Sequence, residues 1–322
     1  MDSLHNYTDI DFHAEGAFST IYRGRPTPPS PLSAQYSEVA LKVSNPSTQR
    51  APHSPILESQ ILRTLRHKHV IPLLSAFYDD SDLVAVMPYL PLHFTGDVVT
   101  DPATRATIVR DITSAIAFLH NQGLIHRDIK PQNILLASKS GPAFLSDFGT
   151  AWVPATISLS HVSQDSQYGE PYLKRIQTDI EPVNAKVTEV GTGPYRAPEL
   201  LFGYPAYTES IDLWSWGCVI AELWHGKPIF DDENRESSEI SLVNTIFRTL
   251  GTPDLQKWPE ASQFSAFVHI RFTQYPPQPF DHMLPNAPQE AIEVIAGLLR
   301  YESRQRIAAE KLLQMKYLFS RR

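Results

Sequence analysis

Hydrophobic and polar positions are strand-like early in the chain and helix-like later. In "FSTIYRG" (18–24) and "SEVALKVS" (37–44), apolar side chains alternate with polar ones, the period-two pattern of a strand with one buried face. The Pro- and Ser-rich "RPTPPSPLSAQ" between them is too rigid and polar for a core, which predicts a hairpin with a long loop. "HSPILESQILRTLRH" opens with the cap-competent Ser54 and a first-turn Pro55, then sets Glu58, Ile61, Leu62 and Leu65 at helical spacing. It predicts a short helix whose inward face includes one carboxylate. "SDLVAVMPYL" (81–90) predicts a further strand and the link into a second lobe. "ATIVRDITSAIAFLHNQG" and "ESIDLWSWGCVIAELWHG" are amphipathic helices that stop at Gly123 and Gly226. No internal repeat is present, and the polar, aperiodic stretch from Trp152 to about Val187 predicts a long mobile loop.

Composition adds bounds rather than detail. A chain of 322 residues, 42% hydrophobic and 20% charged, can bury a large core and fill two lobes. A net charge of -7 argues against nonspecific nucleic-acid binding. The single cysteine, Cys218, permits no internal disulfide and fits a reducing compartment. "MDSLHNYTDIDFHAEG" lacks the charged-then-apolar pattern of a secretion signal, and no apolar run approaches membrane-spanning length. The expectation is a protein of cytoplasm and nucleus, with no nucleic acid and no membrane among its partners.

The candidate chemistry lies in four ordered motifs: "VALK" (39–42) on a strand, "HRDIKPQN" (126–133) after a helix, then "DFG" (147–149) and "APE" (197–199). Phosphoryl transfer needs a cation on the nucleotide phosphates, oxygen ligands for Mg²⁺, and an acid that orients the attacking hydroxyl. Lys42, then Asp147 with Asn133, then Asp128 can supply these in that order. A lone "HRD" would more often be a surface ion pair; four motifs in this order and context are specific. On these residues the chain resembles the eukaryotic protein kinases over nearly its whole length.

The resemblance implies an α+β bilobal fold, with a small β-rich lobe over residues 1–90, a larger helical lobe over 91–322, and ATP between them. It implies that Lys42 binds the α and β phosphates and pairs with Glu58, that Asp147 and Asn133 hold Mg²⁺, and that Asp128 is the catalytic base. Lys130 would steady the transferred phosphate. Ala14 and Gly16 fall in the glycine loop, Ile21, Ala40 and Leu135 where adenine is sandwiched, Met87 at the back of the pocket, and Tyr89 and Leu90 in the segment joining the lobes. Glu199 would pair with Arg306, and Asp212 would cap the catalytic loop. The glycine loop itself departs from the family: "AEGAFSTI" (14–21) keeps only Gly16, with Ala14 and Ser19 where glycines usually allow close approach to phosphate. Lowered ATP affinity is the expected result.

"GPYRAPELLFG" and "NTIFRTLGTPDLQKWP" resemble the cyclin-dependent kinases, and "ELLFG" with "AEGAFSTIYRG" is most similar to the single-subunit kinases that activate them. Lys130 and Thr192 fit Ser/Thr specificity, and Thr150 after the DFG fits threonine as acceptor. Regulation departs most from the family. Ala17 and Phe18 replace the inhibitory hydroxyls of the glycine loop, and Val187 stands where the activating phosphothreonine belongs. Of the three arginines that would catch that phosphate, only Arg127 is present; Leu57 and Trp152 hold the other two places. The resemblance therefore implies a monomeric kinase acting on cyclin-dependent kinases, needing no cyclin and no phosphate of its own. The alternatives are a proline-directed kinase that requires a cyclin, and a pseudokinase scaffold suggested by the altered glycine loop. In the leading reading Trp152 pins the activation segment by packing, and Arg127 takes a carboxylate or a carbonyl in place of phosphate.

Overall fold

The computed structural model describes residues 3–154, 181–231 and 238–318. Its first part is an antiparallel sheet of five strands in the order β1-β2-β3-β5-β4. These are β1 (Tyr7–Glu15), β2 (Thr20–Pro26), β3 (Val39–Ser44), β4 (Ser75–Asp79) and β5 (Asp82–Pro88). Central strands β3 and β5 bury Val39, Leu41, Val84 and Val86 completely, which is why their apolar alternation was legible. Their register sets Val39 opposite Pro88, Ala40 opposite Met87 and Lys42 opposite Ala85, so Ala40 lies beside the chain leaving toward the second lobe and Lys42 stands on the same face, two residues farther along the strand.

One strand escaped the sequence pattern. β1 was not anticipated, because this edge strand is exposed from Thr8 to His13 and carries no buried alternation to read. The predicted hairpin with a long loop is present, as β2 and β3 pair antiparallel, and within the loop Pro31–Ala34 form a 3-10 turn capped by the hydroxyl of Ser30.

The helix Pro55–Thr64 follows its sequence signals. The Ser54 hydroxyl accepts from Leu57 N, and Pro55 occupies the first turn, where no N–H is needed. Beyond β5 the chain is mainly helical, around Pro102–Asn121, Ser210–His225, Glu239–Leu250 and Gln289–Leu298. The helices of the two glycine stops end as expected, with Gly123 at φ +73° and Gly226 at φ +87°. A small antiparallel sheet, β6 (Leu92–His93), β7 (Ile134–Leu136) and β8 (Ala143–Leu145), forms the floor beneath the first lobe.

The core of the second lobe is aromatic, with Trp214, Trp216 and Trp258 fully buried. Gly217 lets the helix Ser210–His225 approach Gln289–Leu298 closely: a Cβ there would lie 2.9 Å from Leu298 Cβ and from Leu299 Cδ2. The expected pair of Arg306 and Glu199 is bidentate, at 2.5 and 2.7 Å, and fully buried. No described helix is long and apolar enough to cross a membrane.

The stretch predicted as one long mobile loop needs correction at its flanks. Residues 155–180 lie outside the described residues, but both flanks are anchored. Trp152 pairs with Ile125 in an antiparallel bridge, with N–H to O distances of 2.8 and 3.0 Å. Residues 181–187 are tied down by bonds described below. Hydrophobic periodicity could not reveal this, because the anchoring is made by single contacts distant in sequence.

Candidate active site

A cleft of about 700 Å³ separates the two parts of the chain. Its roof carries Ala14, Gly16, Ile21, Ala40 and Lys42; Met87, Tyr89 and Leu90 form its back and hinge side. Glu58, Asp128, Lys130, Asn133, Leu135 and Asp147 complete the lining. Every residue expected to carry catalysis, nucleotide binding or Mg²⁺ is therefore brought to one cavity, of the size and mixed polarity that suit a nucleotide.

Lys42 Nζ lies 2.8 Å from both Glu58 oxygens and 2.8 Å from Asp147 Oδ1. Burial works against its charge, but the two carboxylates outweigh that and raise the lysine above its ordinary range. Burial likewise opposes the charge of Asp147, and Lys42 overcomes it, holding that carboxyl below its usual range. Both groups are therefore ionised at neutral pH. Two carboxylates against one ammonium leave an anionic corner, which favours a cation beside Asp147.

Asp147 (φ +63°) and Arg127 (φ +70°) hold left-handed backbone conformations uncommon for residues with a side chain. Both strained positions adjoin the proposed chemistry. Arg127 and His126 are fixed by Asp212, whose carboxylate accepts from their backbone N–H groups at 2.9 and 2.8 Å, the capping role expected of it. His120 Nε2 adds a third contact to Asp212 at 3.0 Å.

Asp128 is held from three sides. Lys130 Nζ approaches Oδ2 at 2.7 Å, Asn133 Nδ2 donates to Oδ2 at 3.1 Å and to the backbone oxygen at 2.8 Å, and Thr192 Oγ1 donates to Oδ1 at 2.6 Å. With its amide nitrogen so committed, Asn133 has its carbonyl oxygen left for a cation. Among the described residues no group of three or more His, Cys, Asp or Glu could hold a metal alone. One carboxylate and one amide oxygen instead fit Mg²⁺ that is shared with nucleotide phosphates.

The glycine loop is closed over the cleft by contacts the sequence did not suggest. The Phe18 ring stacks on His53 at 3.5 Å between centroids, and Gln49 Nε2 donates to the Phe18 carbonyl oxygen at 2.9 Å. Gly16 N bonds Ser19 O at 2.8 Å, closing the turn without the missing glycines. Phe18 had been read only for the hydroxyl it lacks; His53 and Gln49 carried no signal, because their partner is brought to them by the fold.

A model of the protein kinase domain matches residues 14–318. The chain belongs to the eukaryotic protein kinases. It is 33% identical over 305 residues to a protein named serine/threonine-protein kinase csk1 from Schizosaccharomyces pombe, an alignment covering 92% of this chain and 90% of the relative. The kinase is accordingly a Ser/Thr protein kinase of the cyclin-dependent-kinase-like type, with ATP as its phosphate donor.

In the kinase the helix Pro55–Thr64 is fixed inward at both levels of its first turns. Glu58 Oε1 accepts from Phe148 N at 3.2 Å as well as from Lys42, and Ser54 N donates to Gly149 O at 2.9 Å. Seven consecutive residues of the helix, Ile56 to Leu62, are buried within this one chain. Arg127, the remaining member of the arginine triplet, has a carboxylate and a carbonyl as partners, as the sequence reading anticipated. Its Nε donates to Thr150 O at 2.5 Å, and its terminal nitrogens meet Glu181 at 2.8 and 2.9 Å. Glu181, Lys186 and Tyr207 were missed as members of this cluster.

Proposed function

We propose that this kinase phosphorylates the activation-segment threonine of cyclin-dependent kinases, as a single chain that needs neither a cyclin nor a phosphate on its own activation segment. The observation that carries this reading is the helix Pro55–Thr64. A helix that waits for a partner should leave a face exposed and its glutamate away from the lysine. Here Glu58 is already paired with Lys42, the residue preceding the helix is bound to Gly149, and Ile56 to Leu62 are buried by the same chain.

In the proposed mechanism Lys42 holds the α and β phosphates of ATP, and Asp147 and Asn133 hold Mg²⁺, which when bound neutralises charge on the phosphates. Asp128 Oδ1 receives the hydroxyl proton of the incoming threonine. The 2.6 Å hydrogen bond it takes from Thr192 Oγ1 illustrates that this oxygen accepts a hydroxyl donor. The threonine oxygen attacks the γ phosphorus, the bond to the ADP oxygen breaks, and Lys130 offsets the charge spread over the transferred group. Most of the rate enhancement in such a site comes from positioning and charge stabilisation.

The test is to incubate the pure, unphosphorylated chain with ATP, Mg²⁺ and an unphosphorylated cyclin-dependent kinase. Phosphate mapped to that kinase's activation threonine supports the reading. Activity that appears only on adding a cyclin would instead favour a cyclin-dependent, proline-directed kinase.

A further inference from the structure

The network around Arg127 contains an anion in the position a phosphate would need. Both oxygens of Glu181 are used: Oε1 accepts from Arg127 Nη2 at 2.8 Å, and Oε2 accepts from Arg127 Nη1 at 2.9 Å and from Val187 N at 2.7 Å. Val187 is the residue at the usual acceptor position, so the carboxylate bridges the catalytic-loop arginine and that point of the activation segment. The pair is desolvated, with side-chain exposures of 2% for Arg127 and 13% for Glu181. In such a setting a fork of two N–H···O bonds to a carboxylate is strong and fixes geometry.

The surroundings complete a frame. Tyr207 Oη accepts from Arg127 Nη1 at 2.9 Å and donates to Val187 O at 2.7 Å. Trp152, standing where an arginine would be, donates from Nε1 to the Glu181 carbonyl oxygen at 3.0 Å. Lys186 is buried between the Trp152 and Tyr207 rings, its ammonium 5.0 and 4.9 Å from their centroids, and it donates to Val183 O.

We infer that Glu181 is a built-in substitute for the activating phosphate: a positioning residue whose carboxylate joins Arg127 to Val187 and so holds the activation segment in its working arrangement. The consequence reaches the chemistry by two short routes. Arg127 immediately precedes Asp128, and Val187 leads through Val190 to Thr192, which bonds Asp128 directly. A phosphothreonine carries this bridging charge on a side chain that another enzyme must modify; here the charge is encoded six residues earlier. The inference rests on the reading that the kinase works without phosphate, and explains how it could.

The experiment compares wild type with Glu181→Gln, Glu181→Asp and Glu181→Gly, each verified as unphosphorylated by intact mass, in steady-state assays on a cyclin-dependent kinase substrate. Glu181→Gln keeps the shape and removes the charge. It is expected to lower kcat/KM for the protein substrate about 10- to 100-fold, the factor carried by one or two hydrogen bonds to a charged group, while KM for ATP stays within about twofold. Glu181→Asp should recover part of the loss, and sodium formate or inorganic phosphate should raise the activity of Glu181→Gly but not of wild type. Anion rescue separates a charge-dependent role from a merely structural one. Unphosphorylated wild type without activity would overturn the phosphate-free reading itself. An active wild type with an equally active Glu181→Gln variant, or a Glu181→Gly variant that melts like wild type yet gains nothing from either anion, would overturn the clamp alone.

Discussion

Trp152 Nε1 donates to the carbonyl oxygen of Glu181 at 3.0 Å, joining two residues 29 apart in the chain. The indole is 8% exposed and belongs to the same buried apolar cluster as Leu57. The two places from which arginines would reach for a phosphate thus hold side chains of one apolar core. Their loss as cations is compensated by packing and by the carboxylate of Glu181.

Trp152→Ala should therefore cost about 3 to 5 kcal/mol of stability, as for other large buried aromatic truncations, and should cut activity sharply. Trp152→Phe keeps the packing and loses the hydrogen bond, for about 1 kcal/mol. Among the described residues Thr188 contributes only its backbone oxygen, to Arg196, so Thr188→Ala and phosphatase treatment should both leave activity near wild type. Thermal melting alongside activity assays checks all of these. Activity abolished by phosphatase would contradict an activation segment held by Trp152 and Glu181 without phosphate.

Asp128→Asn should lower kcat about 10²- to 10⁴-fold, the range of a lost general base. Its partners Lys130, Asn133 and Thr192 can still bond an amide, so the melting temperature should hardly move. Single-turnover kinetics with saturating ATP would report the chemical step directly.

Closure of the glycine loop by Phe18 and His53 predicts an effect confined to nucleotide binding. Phe18→Ala removes a stacked ring pair of about 1 kcal/mol, so KM for ATP should rise several-fold with little change in kcat. Titration with a fluorescent ATP analogue provides the check. An unchanged affinity would mean that the stack forms only without nucleotide.

Acid should destabilise the fold earlier than its carboxylates would suggest. His69 is buried against the Ala143 carbonyl oxygen at 2.9 Å and Asp111 at 3.3 Å, with Lys68 and Arg110 nearby; burial outweighs the carboxylate and lowers its pKa. Burial lowers His53 and His93 as well. A depressed histidine is stabilising in its neutral form, so that contribution is full above the unfolded value of about 6.5 and is lost as pH falls through the folded value. Urea midpoints should drop between pH 7.5 and 5.5, and His69→Gln should flatten that slope.

The Glu199 and Arg306 pair is buried outside the lining of the cleft and should be felt in stability alone. Glu199→Gln leaves the buried guanidinium without its counter-charge, at about 3 to 5 kcal/mol. Denaturant unfolding should show this loss, with KM for ATP unaltered in the folded fraction.

Much of the site was legible because it consists of short motifs with fixed chemistry on elements with clear periodicity. Lys42 could be placed on a strand by the alternation around it, Glu58 on the inward face of a capped helix by its spacing to Ile61 and Leu62, Asp128 and Asn133 by "HRDIKPQN", and Asp147 by "DFG". Each needed only local sequence and the resemblance of ordered motifs. Strand β1 escaped because an exposed edge strand has no buried face to impose a pattern.

What the chain alone determined was the machinery: a kinase fold, its cleft, the acid, the lysine and the oxygen ligands, together with the absence of the usual phosphate acceptor and two of its arginines. What replaces them was decided by the tertiary structure. Glu181, Lys186 and Tyr207 have no shared period and no motif. They become one site only when the segment after residue 180 folds back beside the catalytic loop. Phe18 and His53 likewise meet only where the glycine loop docks against the start of the helix Pro55–Thr64. A local pattern reports which way a side chain faces, whereas an ion pair or ring stack between distant residues depends on where whole elements dock, and that is fixed by the packed core.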